Sequence, residues 1–126
     1  MINFLEPQDV LLLQADQIEQ YGGEHGVRDM GLLESAVAQA RATFGGEFLH
    51  ANVFEMAAAY LFHIVKNHPF VDGNKRAGAV AALTFLVLND IKVYAPKGSL
   101  SDLTLTVATG QIGKTEIAEF FRRLAS

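Results

Sequence analysis

The 126-residue sequence predicts an all-α bundle built round a central buried helix, with a short hairpin set into it. Three observations carry this. Apolar residues recur every three or four positions through several stretches, the period of helices with one face turned inward. The run "AGAVAALTFLVL" from Ala77 is apolar nearly all round, as a helix enclosed by others would be. Gly45-Gly46 interrupts the helical period, so Thr43 to Asn52 reads as a loop or short hairpin. No repeat, low-complexity run or linker divides the chain, and residues 1–126 read as one domain.

The elements follow in order. Pro7 and Asp9 suit a first helical turn, and Val10, Leu13, Ile18 and Tyr21 give it an inward face until Gly22-Gly23 stops it. Asp29 is a cap for a second helix with Leu32, Leu33, Ala36, Val37 and Ala40 inward. After the hairpin, Phe54 to Asn67 is helical, with Phe54, Ala58, Leu61, Phe62 and Val65 facing the core. It ends near His68, because Pro69 drives the residue before it out of the α region. The next helix, about Lys75 to Leu88, is the one predicted to run through the middle. "IKVYA" is at most a short extended piece. "SLSDLTLTVATG" and "KTEIAEFFRRLAS" close the bundle, the last with Ile117, Phe120, Phe121 and Leu124 inward.

Composition narrows the function classes. Half of the residues are hydrophobic and the net charge is −4, so a packed core is expected and disorder is not. The absence of a basic run argues against direct nucleic-acid binding, which needs a cationic face for phosphates. There are no cysteines, which excludes disulfides and thiolate metal sites and fits a reducing cytoplasm. "MINFLEPQDV" lacks the basic and apolar regions of a signal peptide. Ala77 to Leu88 falls far short of the ~20 residues of a membrane span. The expectation is a cytoplasmic protein without a membrane segment.

Chemistry concentrates in "KNHPFVDGNKRAG", Lys66 to Gly78. Asp72-Gly73 form a tight loop at the start of the apolar helix. There the first N–H groups lack helical partners and carry partial positive charge. A glycine lets such groups converge on one point, an arrangement that binds phosphates. Lys75 and Arg76 add full charges, and Arg can grip phosphate with two parallel bonds. Asp72 beside a phosphate cradle suits Mg²⁺, which takes one or two carboxylates together with phosphate oxygens. His68 has the ordinary pKa nearest neutrality and can take a proton from an attacking hydroxyl. Those are the parts needed to move a phosphate-containing group onto a hydroxyl. Each residue also has a plain structural reading. His68-Pro69 would stop a helix, Asp72 and Asn74 would serve a turn and cap, and Lys75-Arg76 would be a solvated pair. Their joint occurrence in one loop favours a site.

Other candidates carry less. His63 sits on an apolar helix and reads as a hydrogen-bonded core histidine. His25 and His50 lie in loop-like sequence without a second ligand at useful spacing. Arg28-Asp29 reads as turn chemistry, Lys66 as a helix-end cation and Arg122-Arg123 as a solvated face.

The stretch "HPFVDGNKR" resembles the Fic/Doc family, whose shared pattern is His-x-Phe-x-(Asp/Glu)-Gly-Asn-Gly-Arg-x-x-Arg. His68, Phe70, Asp72, Gly73, Asn74 and Arg76 agree with it. Lys75 replaces the second glycine and Ala79 the final arginine, departures shared with the Doc branch. "YGG", "GVRDMGLLESA", "LSDLT" and "ATG" are also similar to that branch, so the resemblance spans nearly the whole chain.

The resemblance implies a Fic/Doc helical bundle with a flap at Thr43 to Asn52 that docks the target as an added strand. It implies His68 as general base, Asp72 as Mg²⁺ ligand, and Gly73, Asn74, Lys75 and Arg76 as phosphate-binding residues, with ATP as substrate. Typical Fic enzymes transfer AMP. Members of the Doc branch transfer the γ-phosphoryl group to a threonine of elongation factor Tu and arrest translation. They are silenced by a Phd-type antitoxin whose disordered C-terminal segment folds on the toxin. The inhibitory pattern Ser/Thr-x-x-x-Glu-Gly/Asn of many Fic proteins finds its nearest match at Thr115 to Glu119, but Phe120 follows, so self-inhibition is not expected. The competing readings are an AMP transferase acting on another protein and a catalytically silent peptide-binding module. A DNA-binding helical protein is disfavoured by the acidic balance.

Overall fold

In the computed structural model, which describes residues 1–126, helix α1 (Pro7–Tyr21) begins where Asp9 accepts the Glu6 N–H at 2.7 Å. It ends at Gly22, whose φ of 87° lies where a side chain is strained. Val10 and Ile18 are buried as expected, with Gln14 between them. Tyr21 points the same way yet is 69 % exposed. Periodicity gave its direction, but nothing lies opposite to cover it. Helix α2 (Met30–Gln39) is capped by Asp29, which accepts the Leu32 N–H at 3.0 Å, and buries Leu33, Ala36 and Val37.

The expected hairpin is present. Strands β1 (Thr43–Phe44) and β2 (Glu47–Phe48) are antiparallel, with Thr43 opposite Phe48 and Phe44 opposite Glu47. Gly45 and Gly46 both have positive φ, 62° and 84°, the left-handed pair that a two-residue hairpin turn requires. All four strand residues are exposed.

Asn52 starts α3 (Val53–Asn67) by accepting the Glu55 N–H at 3.0 Å. Helices α4 (Asn74–Leu88), α5 (Ser99–Ala108) and α6 (Lys114–Leu124) follow. The bundle has a central buried helix, but it is α3 rather than α4. Met56 to Leu61 are six consecutive buried residues, and α3 packs against α2, α4, α5 and α6. Helix α4 lies against α1, α3 and α5 and leaves Val87 and Leu88 57 % and 46 % exposed. Much of its apolar character comes from small residues, which permit close approach to a neighbour rather than burial on every side. Gly78 makes this concrete. A Cβ there would sit 2.9 Å from Val65 Cγ2 and 3.1 Å from the Leu61 carbonyl oxygen. The α3–α4 seam therefore carries the loop His68–Gly73 at its end. No helix is long and apolar enough to cross a membrane.

Candidate functional site

Helix α3 ends because Pro69 follows it, and the structure turns His68 into a C-cap with φ 53° and ψ 54°. A residue with a Cβ costs roughly 1–2 kcal/mol in that left-handed region, so neighbouring contacts must hold it there. The loop then turns back through Asp72 and Gly73, and α4 departs from Gly73, which is also left-handed at φ 73°. The Ala77 N–H bonds the Gly73 carbonyl at 2.8 Å. The earlier N–H groups, of Asn74, Lys75 and Arg76, are those a helix start leaves without helical partners.

His68, Asp72, Gly73, Asn74, Lys75 and Arg76 all line one open cleft of about 330 Å³, closed on its sides by Val65, Val71 and Ala108. The six sequence-derived candidates thus share a space. Their side chains are used differently, however. His68 and Lys75 are exposed. The Asn74 side chain is buried and clasps the Phe70 backbone, accepting its N–H at 2.9 Å and donating to its carbonyl at 3.0 Å. What Asn74 can offer a phosphate is its backbone N–H. Arg76 donates from Nη1 to the Gly22 and Gln17 carbonyls, at 2.9 and 3.3 Å, so half of its fork fastens the end of α1.

The Asp72 carboxylate accepts the Glu24 N–H at 3.1 Å and the Gly73 N–H at 2.8 Å. These bonds, with Arg76 and Lys75 nearby, hold its pKa below the ordinary 3.8, because each favours the charged form. It is an ionised acceptor at neutral pH. No cluster of three or more His, Cys, Asp or Glu side chains is arranged to hold a metal. Asp72 is therefore a lone carboxylate beside the cleft, a donor set that fits Mg²⁺ coordinated largely by substrate oxygens.

Four residues that the sequence did not link to this loop hold it in shape. Gln14, buried on α1, donates to the Asp72 carbonyl at 3.0 Å. Gly23, at φ 119°, leaves space for the carboxylate, since a Cβ would lie 2.7 Å from Asp72 Oδ2. The Gly26 carbonyl accepts the Val71 N–H at 3.0 Å. Arg28 reaches across to α3, donating from Nε to the His68 carbonyl at 2.8 Å and from Nη2 to the Asn67 carbonyl at 3.0 Å. Its own N–H and that of Asp29 bond the Pro69 carbonyl, at 2.7 and 3.0 Å. Residues 22–29 are a strap along the loop. Glycine at Gly23 and a polar residue on the inner face of α1 were the available signals, but neither carries a spacing rule that points to a partner some fifty residues away.

The remaining histidines stand apart from the cleft. His25 bonds Glu19 at 2.7 Å on the surface. His63 is half-buried and accepts from Lys114 Nζ at 3.3 Å; burial, then the nearby Lys114 and His50, lower its pKa to about 4. His50 is buried, and its Nε2 has no partner. It lines a second cavity of about 300 Å³ with Glu55, Lys114 and Arg122. Nε2 itself is closed to solvent, so a ligand in that cavity has no access to it.

Comparison with known proteins agrees with this geometry. The sequence model described as "Fic/DOC family" matches residues 4–86, which contain the whole strap and loop. The chain is 34 % identical over 120 residues to "Protein kinase doc" of Escherichia phage P1, covering 95 % of this chain and 94 % of that one. It is 43 % identical over 95 residues to "Toxin Doc" of Mycolicibacterium smegmatis, covering 75 % and 71 % respectively.

Proposed function

The chain belongs to the Fic/Doc family, and from that premise we propose that it is the toxin of a toxin–antitoxin module. In this reading it is a kinase that transfers the γ-phosphoryl group of ATP to a threonine of elongation factor Tu. The observation that carries the reading is the single cleft lined by His68, Asp72, Gly73, Lys75 and Arg76. A base, an ionised carboxylate and a cationic helix start face one space of about 330 Å³. The relative named as a kinase supports the same direction of transfer, as do Lys75 and Ala79 at the two positions where AMP-transferring members carry glycine and arginine.

In this mechanism the N–H groups at the start of α4 and the Lys75 ammonium hold the phosphates, with the free edge of Arg76 alongside. The acceptor hydroxyl lies against His68. As the hydroxyl oxygen bonds to the γ-phosphorus, its proton passes to the imidazole, and the bond to the β–γ bridging oxygen breaks to leave ADP. Asp72 would hold Mg²⁺ together with phosphate oxygens, and the ion supplies neutralisation of charge between the phosphates. The flap at β1–β2 would present the acceptor segment, its exposed backbone adding a strand.

The partner that silences the protein would be a Phd-type antitoxin with a disordered C-terminal segment. A groove of about 290 Å³ between α4 and α5, lined in part by Ala79, Val80, Leu83 and Leu100, shares Lys75 and Arg76 with the cleft. A helix seated there would crowd the phosphate site.

The deciding experiment incubates the protein with elongation factor Tu and ATP labelled separately at the α and γ positions. Transfer of γ label alone, abolished by His68→Ala, is expected. Transfer of α label alone would make the protein an AMP transferase. Growth arrest undiminished by His68→Ala would make it a silent binding module.

A further inference from the structure

We propose that Arg28 is a positioning residue for His68, fixing the imidazole through the backbone of the α3 C-cap. The inference rests on the reading of His68 as general base. His68 makes no side-chain hydrogen bond within the protein, so its ring goes where its backbone sends it. That backbone is left-handed, a conformation that is strained for a residue with a Cβ and that neighbouring bonds help to hold. Two of the last carbonyls of α3, those of Asn67 and His68, are groups that a helix end leaves without partners. Arg28 supplies both from one planar fork, at 3.0 and 2.8 Å, and brings a positive charge to the negative end of the helix. The same residue anchors its own N–H on the Pro69 carbonyl at 2.7 Å. Arg28 thus brackets His68 on both sides, gripping the two carbonyls before the Pro69 bond and the one after it. Lysine could supply the charge but not two donors in a fixed geometry.

Without the Arg28 guanidinium, the Asn67 and His68 carbonyls lose their partners while the backbone bonds to the Pro69 carbonyl remain. The cap can then leave the left-handed region, and the imidazole swings away from the acceptor hydroxyl. The nucleotide contacts at the start of α4 lie on the other side of Asp72 and are untouched. The expected signature is therefore confined to turnover. In the double-label assay with the full chain, Arg28→Ala should lower kcat on the order of 100-fold, the scale of an ångström-sized misplacement. The KM for ATP should stay within about threefold, because ground-state binding is not altered. The melting temperature should fall by about 5 °C or less. Arg28→Lys should fall between Arg28→Ala and wild type. In a His68→Ala background, Arg28→Ala should cost nothing more, since residues acting through one another are not additive.

A wild-type kcat in Arg28→Ala overturns the proposal, whatever the melting temperature does. So does a further large loss in the His68→Ala background. Where Arg28→Ala fails to fold, a wild-type kcat in Arg28→Lys overturns it equally. His68→Ala retaining full turnover removes the base reading itself, an outcome distinct from an inactive His68→Ala beside an unaffected Arg28→Ala.

Discussion

Gly22 and Gly23 separate backbone strain from contact with the site carboxylate, because the two adjacent glycines differ in what surrounds them. Gly22 has φ 87° and open space where a Cβ would be, with nothing within 4 Å. Alanine there meets only strain, about 1–3 kcal/mol. Gly23 has φ 119°, and its Cβ would lie 2.7 Å from Asp72 Oδ2 and 2.9 Å from Ile18 Cδ1. Alanine at Gly23 adds displacement of the carboxylate to similar strain, and with it loss of the bond from the Glu24 N–H. Urea unfolding at neutral pH should therefore show Gly22→Ala destabilised by the strain of about 1–3 kcal/mol and Gly23→Ala less stable still. The second readout is local. The Glu24 bond is the foremost cause of the low Asp72 pKa, so carboxyl-carbon NMR should find that pKa rising toward 3.8 in Gly23→Ala and unmoved in Gly22→Ala. Equal destabilisation by the two substitutions, with the Asp72 titration unchanged in both, would refute the claim that Gly23 exists to make room for the carboxylate.

Asn74→Ala leaves both the N–H and the carbonyl of buried Phe70 without their partner and should cost about 3 kcal/mol in chemical denaturation. Gly78→Val drives methyl groups into Val65 and the Leu61 carbonyl and should cost about 3 kcal/mol, the upper range for overpacking. His63, with its pKa lowered from 6.5 to about 4, is neutral in the fold where the unfolded chain binds a proton. The His63 contribution to stability should consequently be lost as pH drops from 6.5 to about 4 and change no further below, and His63→Gln should flatten the slope across that window in pH-dependent melts. Lys75→Ala removes an exposed cation and should raise the KM for ATP about tenfold with an unchanged melting temperature. Arg76→Ala should raise KM and also lower the melting temperature, since it releases the Gly22 and Gln17 carbonyls.

The sequence disclosed what is local. Asp29 and Pro69 act within a few residues of themselves, so the helix boundaries they set were readable. The same holds for Gly45-Gly46 and the contiguous cleft residues His68 to Arg76. What could not be read is pairing across distance. Gln14 carries no local signal of its role and is buried against the Asp72 carbonyl. Arg28 looked like turn chemistry and spans to residues forty positions away. The identity of the central helix was hidden for a related reason. The alanines of α4 score as apolar, whereas enclosure depends on how many neighbours a helix meets, and α3 meets four.

The loop's side chains divide according to whether they are spent inside the protein. Asn74 is fully engaged with Phe70, and Arg76 gives one edge to α1. Asp72 uses both oxygens on backbone N–H groups yet retains lone pairs and its charge. His68 and Lys75 have no internal partner at all. Shape is thus set by groups that bond inward, many of them backbone atoms of the strap whose bonds tolerate sequence change, such as the Gly26 carbonyl and the Arg28 and Asp29 N–H groups. Reactivity is left to those that bond nothing. An imidazole and an ammonium standing unpaired at opposite ends of one braced loop have no stabilising task in the free protein. In the proposed function they meet a ligand that brings a proton to one and negative charge to the other, as a hydroxyl approaching a triphosphate would.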